Sequence, residues 1–128
     1  MKRAEHSLVD VLKKNKLKIA FAESMSCGLL THKIGTISGT SEVLTGSIIC
    51  YDECIKTGLL KIKKKLLQAH TAESQKVTDA MAKSLSKLMK ADINVAITGL
   101  AAPGGSETKS KPVGTVFYSF MFKGIIQA

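Results

Sequence analysis

Residues Ala20 to Leu30 read AFAESMSCGLL, and the reading of that stretch decides the fold. An apolar run enters it, Glu23-Ser24 interrupts the run, Met25-Ser26-Cys27-Gly28 comes next, and apolar residues resume. A surface turn has no need of so much apolar framing. A strand that delivers a hydroxyl at its end, with a helix starting behind it, does need it. Ser24 is then either a nucleophile or a cap.

The flanking sequence supports the strand. KLKIAFA alternates Leu17, Ile19 and Phe21, a strand pattern. Ahead of it, SLVDVLKKN sets Leu8, Val9, Val11 and Leu12 at helical spacing, so an amphipathic helix opens the chain. Behind it, CGLLTHKIGTI predicts a helix closed by a turn in GTISGTS. TGSIICY predicts a second strand ending at Tyr51, and Asp52 is placed to cap a helix in DECIKTGLL. SQKVTDAMAKSLSKLMKA is the clearest helix: Val77, Met81, Leu85 and Met89 recur every four residues behind Ser74 as cap. Its methionines read as core packing. INVAIT predicts a strand buried on both faces. A loop GLAAPGGSETKSKP, a long strand VGTVFYSFMF and a turn at Gly124 complete the chain. Neither an internal repeat nor a low-complexity segment occurs.

Strands alternating with helices predict an α/β domain in layers, a three-layer α/β/α sandwich around a mostly parallel or mixed sheet. In such sheets ligands bind outside the carboxyl ends of the strands. Glu23-Ser24, Tyr51 and Thr98-Gly99 would meet at that edge.

Bulk composition narrows the function classes. With 128 residues, 45% hydrophobic and 23% charged, the chain suits one globular domain with a core. No apolar run approaches the roughly 20 residues of a membrane helix. The start, MKRAEHSLVDVLKKNK, reads as neither signal peptide nor anchor, so the expected compartment is the cytoplasm. Cys27, Cys50 and Cys54 form no Cys-x-x-Cys pair and are expected reduced and mostly buried. His6, His32 and His70 do not sit at ligand spacing, so no metal is expected. The net charge of +9 would attract nucleic acid or a phosphorylated small molecule. With no Trp, two Tyr and four Phe, none interleaved with the lysines, a stacking platform for single strands is not visible. KIKKKLL reads as a solvated lysine face.

A serine attacks only when a base takes its proton. None of the three histidines stands at a strand end, and no nucleophile elbow is present. Lysine is the other base. Lys56 comes five residues after Tyr51 and falls about one turn into the helix behind Asp52. There the neutral amine of a partly buried lysine can serve as base, with Tyr51 relaying the proton or orienting the lysine. The plain alternative is a surface lysine. TGLAAPGG, with Gly99, Gly104 and Gly105, can form a nest of backbone amides for a phosphate or oxyanion, or be a flexible Pro-Gly connection.

AESMSCGLL, GSIICYDECIK, ITGLAAPGG and KPVGTV occur in this order, and together they resemble the C-terminal domain of the CinA family, over nearly the whole chain. The resemblance implies a nicotinamide-nucleotide amidase: hydrolysis of nicotinamide mononucleotide to nicotinate mononucleotide and ammonia, in pyridine-nucleotide and NAD metabolism. It implies no cofactor and no metal. It makes Ser24 the nucleophile and matches Tyr51 and Lys56 to the family's tyrosine and lysine. It places substrate binding at Glu23, Ser26, Gly28, Gly46, Thr98, Gly99, Gly104 and Gly105.

The chain also departs from the family pattern. Cys27 and Ala102 stand where glycines are usual. HTAES replaces HGAVS, which puts Glu73 at an apolar position. A β-carbon where positive φ is needed costs on the order of 1 kcal/mol. The family continues past the GTV strand with a further strand, an arginine-bearing segment and a closing helix. The chain is therefore expected to be a single shortened domain over residues 1–128, with VFYSFMF exposed, weak turnover and a tendency to form a homo-oligomer. The expected partner is a small-molecule nucleotide substrate, with neither a membrane nor nucleic acid. The competing reading is a nucleotide-binding remnant of the family that no longer turns substrate over.

Overall fold

A mixed sheet organises the computed structural model, which describes residues 3–128. Its strands are β1 (Ile19–Glu23), β2 (Leu44–Ile49), β3 (Ile93–Gly99), β4 (Val116–Phe122) and β5 (Ile125–Gln127), in the order β2-β1-β3-β4-β5. β1 runs parallel to both neighbours, β2 and β3. β4 is antiparallel to β3, and β5 to β4. The helices are α1 (Ala4–Asn15), α2 (Leu29–Gly35), α3 (Glu53–Gly58), α4 (Lys64–His70) and α5 (Gln75–Leu88).

Two cores, one on each face of β1, make the three layers. Ile19 and Phe21 pack with Val9 and Leu12 of α1 and Ile34 of α2. Ala20 and Ala22 pack with Val77, Met81, Ala82 and Leu85 of α5. The alanines leave room for the large side chains that α5 presents. Every residue of β1 is therefore buried, where the sequence showed only the alternation of Ile19 and Phe21. β3 is the reverse case. Asn94, Ala96 and Thr98 are buried against α5, but Ile93, Val95 and Ile97 are only partly covered, which corrects the expectation of burial on both faces. On that side α1 and α2 cover β1 and leave the antiparallel half open. By register Val116, Tyr118 and Ile125 share the open face, and they are 48%, 56% and 61% exposed.

Both anticipated caps form. Asp52 Oδ1 accepts from the Cys54 N–H at 2.7 Å, and Ser74 Oγ from the Val77 N–H at 3.3 Å. Two elements were not anticipated. α4 is seven residues, KKLLQAH, too short to show a period. β5 is three residues that pair back onto β4 through Lys123-Gly124, so a strand does come after the GTV strand. The cysteines are free thiols, as expected, but only Cys50 is buried; Cys27 and Cys54 are exposed. Among the described residues no helix is long and apolar enough to cross a membrane.

Candidate active site

β1 and β2 end level, with Glu23 in register with Ile49, and β3 runs two residues further, from Ile97 beside Glu23 to Gly99. The last sheet hydrogen bonds also fix the residues just beyond the strands. The Ser24 N–H donates to the Ile97 carbonyl at 3.1 Å, and the Cys50 N–H to the Glu23 carbonyl at 2.8 Å. Ser24 is thereby held at the carboxyl edge of the parallel strands, with 8% of its surface exposed.

Lys56 reaches Ser24 from α3. The Asp52 cap starts that helix, and one turn later the side chain points back under the strand ends. Lys56 is 2% exposed, and its Nζ donates to three oxygens: Cys50 O at 2.7 Å, Tyr51 O at 3.1 Å and Ser24 Oγ at 3.1 Å. Two carbonyls thus hold two directions around Nζ, and the third points at the serine hydroxyl. In the neutral amine the two N–H bonds serve the carbonyls, and the lone pair faces the Ser24 proton. Tyr51 contributes its carbonyl to this arrangement. Its side chain is 63% exposed and lines the adjoining cleft.

Behind Ser24 the turn is tied down by Glu23, which is fully buried. One carboxylate oxygen accepts from Ser26 Oγ at 2.7 Å and the Leu30 N–H at 3.0 Å. The other accepts from the Thr31 N–H at 2.8 Å and Thr31 Oγ1 at 2.6 Å. Burial alone would raise this carboxyl. The bonds from the Thr31 and Ser26 hydroxyls and the Thr31 and Leu30 amides outweigh burial and hold it below the usual glutamate value. The N–H groups of Met25 and Ser26 make no hydrogen bond among the described residues. Cys27 and Gly28 both have positive φ, 50° and 92°, so the residue in place of the family's glycine does sit in the left-handed region. Ala102 does not.

A cleft of ≈ 240 Å³ opens beside Ser24, lined by Ser24, Met25, Tyr51, Glu73, Gly99 and residues 100–105. A larger hollow of ≈ 460 Å³ lies between α3 and α4 but contains none of these groups. Gly99 is required by the architecture: a β-carbon there would come within 2.6 Å of the Thr115 carbonyl oxygen and 3.2 Å of Met25 Cε. The loop beyond it corrects one expectation. The Gly104 N–H is already engaged, donating at 2.7 Å to the Glu107 carboxylate. The amides of Gly104, Glu107 and Gly105 hold that carboxyl below its usual value. An anion binding to this turn must displace the chain's own carboxylate.

The structure therefore brings together Ser24, Lys56, Tyr51, Gly99, Gly104 and Gly105. It separates the other residues implied in substrate binding. Glu23 and Ser26 satisfy each other beneath the turn. Gly28 abuts Ile49, and Gly46 lies within β2 facing Met89. Thr98 is buried and shares a 2.9 Å hydrogen bond with Thr78 of α5. No histidine lines the cleft. The charged residue in this lining is Glu73, which has no assigned role and whose only sequence signal is a charge where an apolar side chain is usual.

The family model for the CinA C-terminal domain matches residues 1–128. A CinA-like protein of Petrotoga mobilis is 40% identical over 121 residues, which is 94% of this chain and 30% of that protein. A CinA-like protein of Pseudothermotoga lettingae is 36% identical over 114 residues, 89% of this chain and 28% of that protein. The chain thus spans less than a third of the length of these curated relatives. Among solved structures, a competence-damaged protein (CinA) superfamily protein from Escherichia coli superposes with a TM-score of 0.89 at 27% identity, covering 96% of this chain and 71% of that one. A competence/damage inducible protein from Agrobacterium tumefaciens gives 0.90 at 27% identity, covering 96% and 74%.

Proposed function

We propose, from the premise that this chain belongs to the CinA C-terminal domain family, that it is a C–N hydrolase acting on the carboxamide of nicotinamide mononucleotide. The observation that carries this reading is the buried contact of Lys56 Nζ with Ser24 Oγ at 3.1 Å, with two carbonyls fixing the amine. Lys56 in its neutral form takes the Ser24 proton as Oγ attacks the amide carbon. The negative charge that develops on the amide oxygen faces the unbonded N–H groups of Met25 and Ser26, which act as its donors. The Lys56 ammonium returns the proton to the departing nitrogen, and ammonia leaves. Water, deprotonated by the same amine, then attacks the Ser24 ester. The carboxylic acid, nicotinate mononucleotide, is released and the serine restored.

The cleft takes the reacting head of the substrate. At ≈ 240 Å³ it falls below the roughly 300–1,000 Å³ of sites that enclose a whole drug-sized ligand, so sugar and phosphate lie outside it. The three free thiols suit a reducing cytoplasm. One observation favours the second reading, a binding remnant: Glu107 already occupies the Gly104 amide. Incubation with nicotinamide mononucleotide separates the two readings. The amidase releases ammonia and nicotinate mononucleotide in equal amounts, and a remnant binds without releasing either. In the active protein Ser24→Ala should lower the rate by about a thousandfold or more. A loss of less than about tenfold, some 1.4 kcal/mol of barrier, rules out covalent catalysis by Ser24.

A further inference from the structure

Glu73 places a carboxylate in the wall of the Ser24 cleft, between α4 and α5, and the surrounding groups hold it there without a direct ion pair among the described residues. Ser106 Oγ donates to Glu73 Oε2 at 2.6 Å. Lys111 Nζ donates to Ser106 Oγ at 3.0 Å, to the Glu73 carbonyl at 2.9 Å and to Thr71 Oγ1 at 2.9 Å. The lysine's three bonds thus go to two hydroxyls and a carbonyl. It pins the loop to the segment before α5 and stands one hydroxyl away from the carboxylate. Among the described residues Oε1 has no hydrogen-bond partner. Glu107, on the same loop, adds negative charge beside the cleft.

We propose that Glu73 is a specificity residue that selects a substrate whose amide-bearing ring carries a positive charge, an N-alkylated pyridinium carboxamide, over a neutral ring of the same shape. The proposal rests on the reading of the cleft as an amide-hydrolase site. The cleft is small enough that the group lying between Ser24 and Glu73 is the ring that bears the carboxamide. A carboxylate with one oxygen unbonded attracts a cationic ring there and gives a neutral one nothing. An apolar side chain at this position would not distinguish the two.

The test uses a matched pair of probes: 1-methylnicotinamide, which is a cation, and 3-methylbenzamide, in which carbon replaces the charged nitrogen. Their dissociation constants are measured by NMR titration on the whole chain and on Glu73→Gln, which keeps an acceptor for Ser106. The wild-type protein should favour the cation, and Glu73→Gln should cut that preference by about fivefold, the size of a partly exposed ion pair. Glu73→Val should do the same. The wild-type preference should shrink as salt rises, and that of the Gln variant, which keeps only Glu107, should shrink markedly less, a difference that a purely structural role would not produce. An unchanged preference overturns the proposal, as does failure of both probes to bind. The function reading fails separately: a charge-dependent preference with no ammonia from nicotinamide mononucleotide leaves the selectivity standing and removes the amidase.

Discussion

The turn after β1 and the loop after β3 reach the same cleft with opposite construction. In the β1 turn every polar side chain is bonded: Glu23 accepts four hydrogen bonds, and Lys56 donates three. The loop over residues 100–115 is mostly exposed; backbone bonds close it between Leu100 and Gly114–Thr115, and the side chains of Ser106 and Lys111 tie it to the segment before α5. The difference teaches where each kind of requirement is met. Groups that must sit within a few tenths of an ångström of the reacting atoms are locked by the sheet and by buried bonds before substrate arrives. Glu73, the proposed selector of substrate, stands apart from both, on the segment between α4 and α5, and the loop reaches it only through the side chains of Ser106 and Lys111.

The largest effect should come from the locked side. Lys56→Arg keeps the charge and the length but replaces the amine with a guanidinium, which stays protonated and is too broad for the two-carbonyl socket. Amidase activity should fall by about 10²–10⁴-fold, the usual contribution of a general base. An arginine variant within tenfold of wild type would show that the socket does not make the base, and the contrast between the regions would lose its chemical meaning.

Next comes the support beneath the nucleophile. Glu23→Gln removes the charge that four donors address and forces one donor to face another. About 2 kcal/mol of stability should be lost at neutral pH, read from chemical unfolding. The sign with pH comes from the lowered folded value. The ionised Glu23 stabilises the fold above the ordinary glutamate range, and that contribution drains away as pH falls through the ordinary value toward the lowered one. The gap between wild type and Glu23→Gln should therefore be full near pH 7 and narrow on acidification below about pH 4.5. A gap that widens in acid would mean that Glu23 is not the ionised cap.

The same division explains what the sequence made legible. The β1 turn could be read because it is written in local terms: an apolar run, Glu-Ser, small residues, then another apolar run, with Asp52 placed to start α3 and Lys56 one turn beyond. The order of motifs then identified the family. Roles that depend on long-range contact could not be read. The resemblance implied Glu23 in substrate binding, and nothing in the sequence says that Ser26, Leu30 and Thr31 fold back onto it. Thr98 faces Thr78 across twenty residues of chain. Glu73 meets Ser106 across thirty-three. The half-covered face of β3 depends on where α1 ends over the sheet, which no period of INVAIT encodes.

The loop side should answer more gently. Glu107→Gln removes the carboxylate that occupies the Gly104 amide, along with one negative charge near an incoming phosphate. The KM for nicotinamide mononucleotide should fall by about two- to threefold with kcat unchanged, an effect the size of an exposed charge interaction and screened by salt. A fall in kcat instead would mean that the loop takes part in the chemical step, and the two regions would have to be treated as one.

The smallest effect tests whether the β1 turn is held by its bonds or by its backbone. Cys27 has φ of 50°, where a β-carbon costs about 1 kcal/mol relative to glycine. Cys27→Gly relieves that strain but gives the unfolded chain more freedom, which returns roughly half of the gain. The net expectation is about 0.5 kcal/mol of added stability, a rise of about 1–3 °C in Tm for a domain of this size. Because Cys27 is exposed, no core contact is lost. The informative quantity is kcat. If Glu23 fixes the turn through Ser26, Leu30 and Thr31, two adjacent glycines at positions 27 and 28 leave Ser24 in place and kcat unchanged. A more stable protein with a tenfold lower kcat would show that the strained cysteine, and not the buried carboxylate, aims the serine.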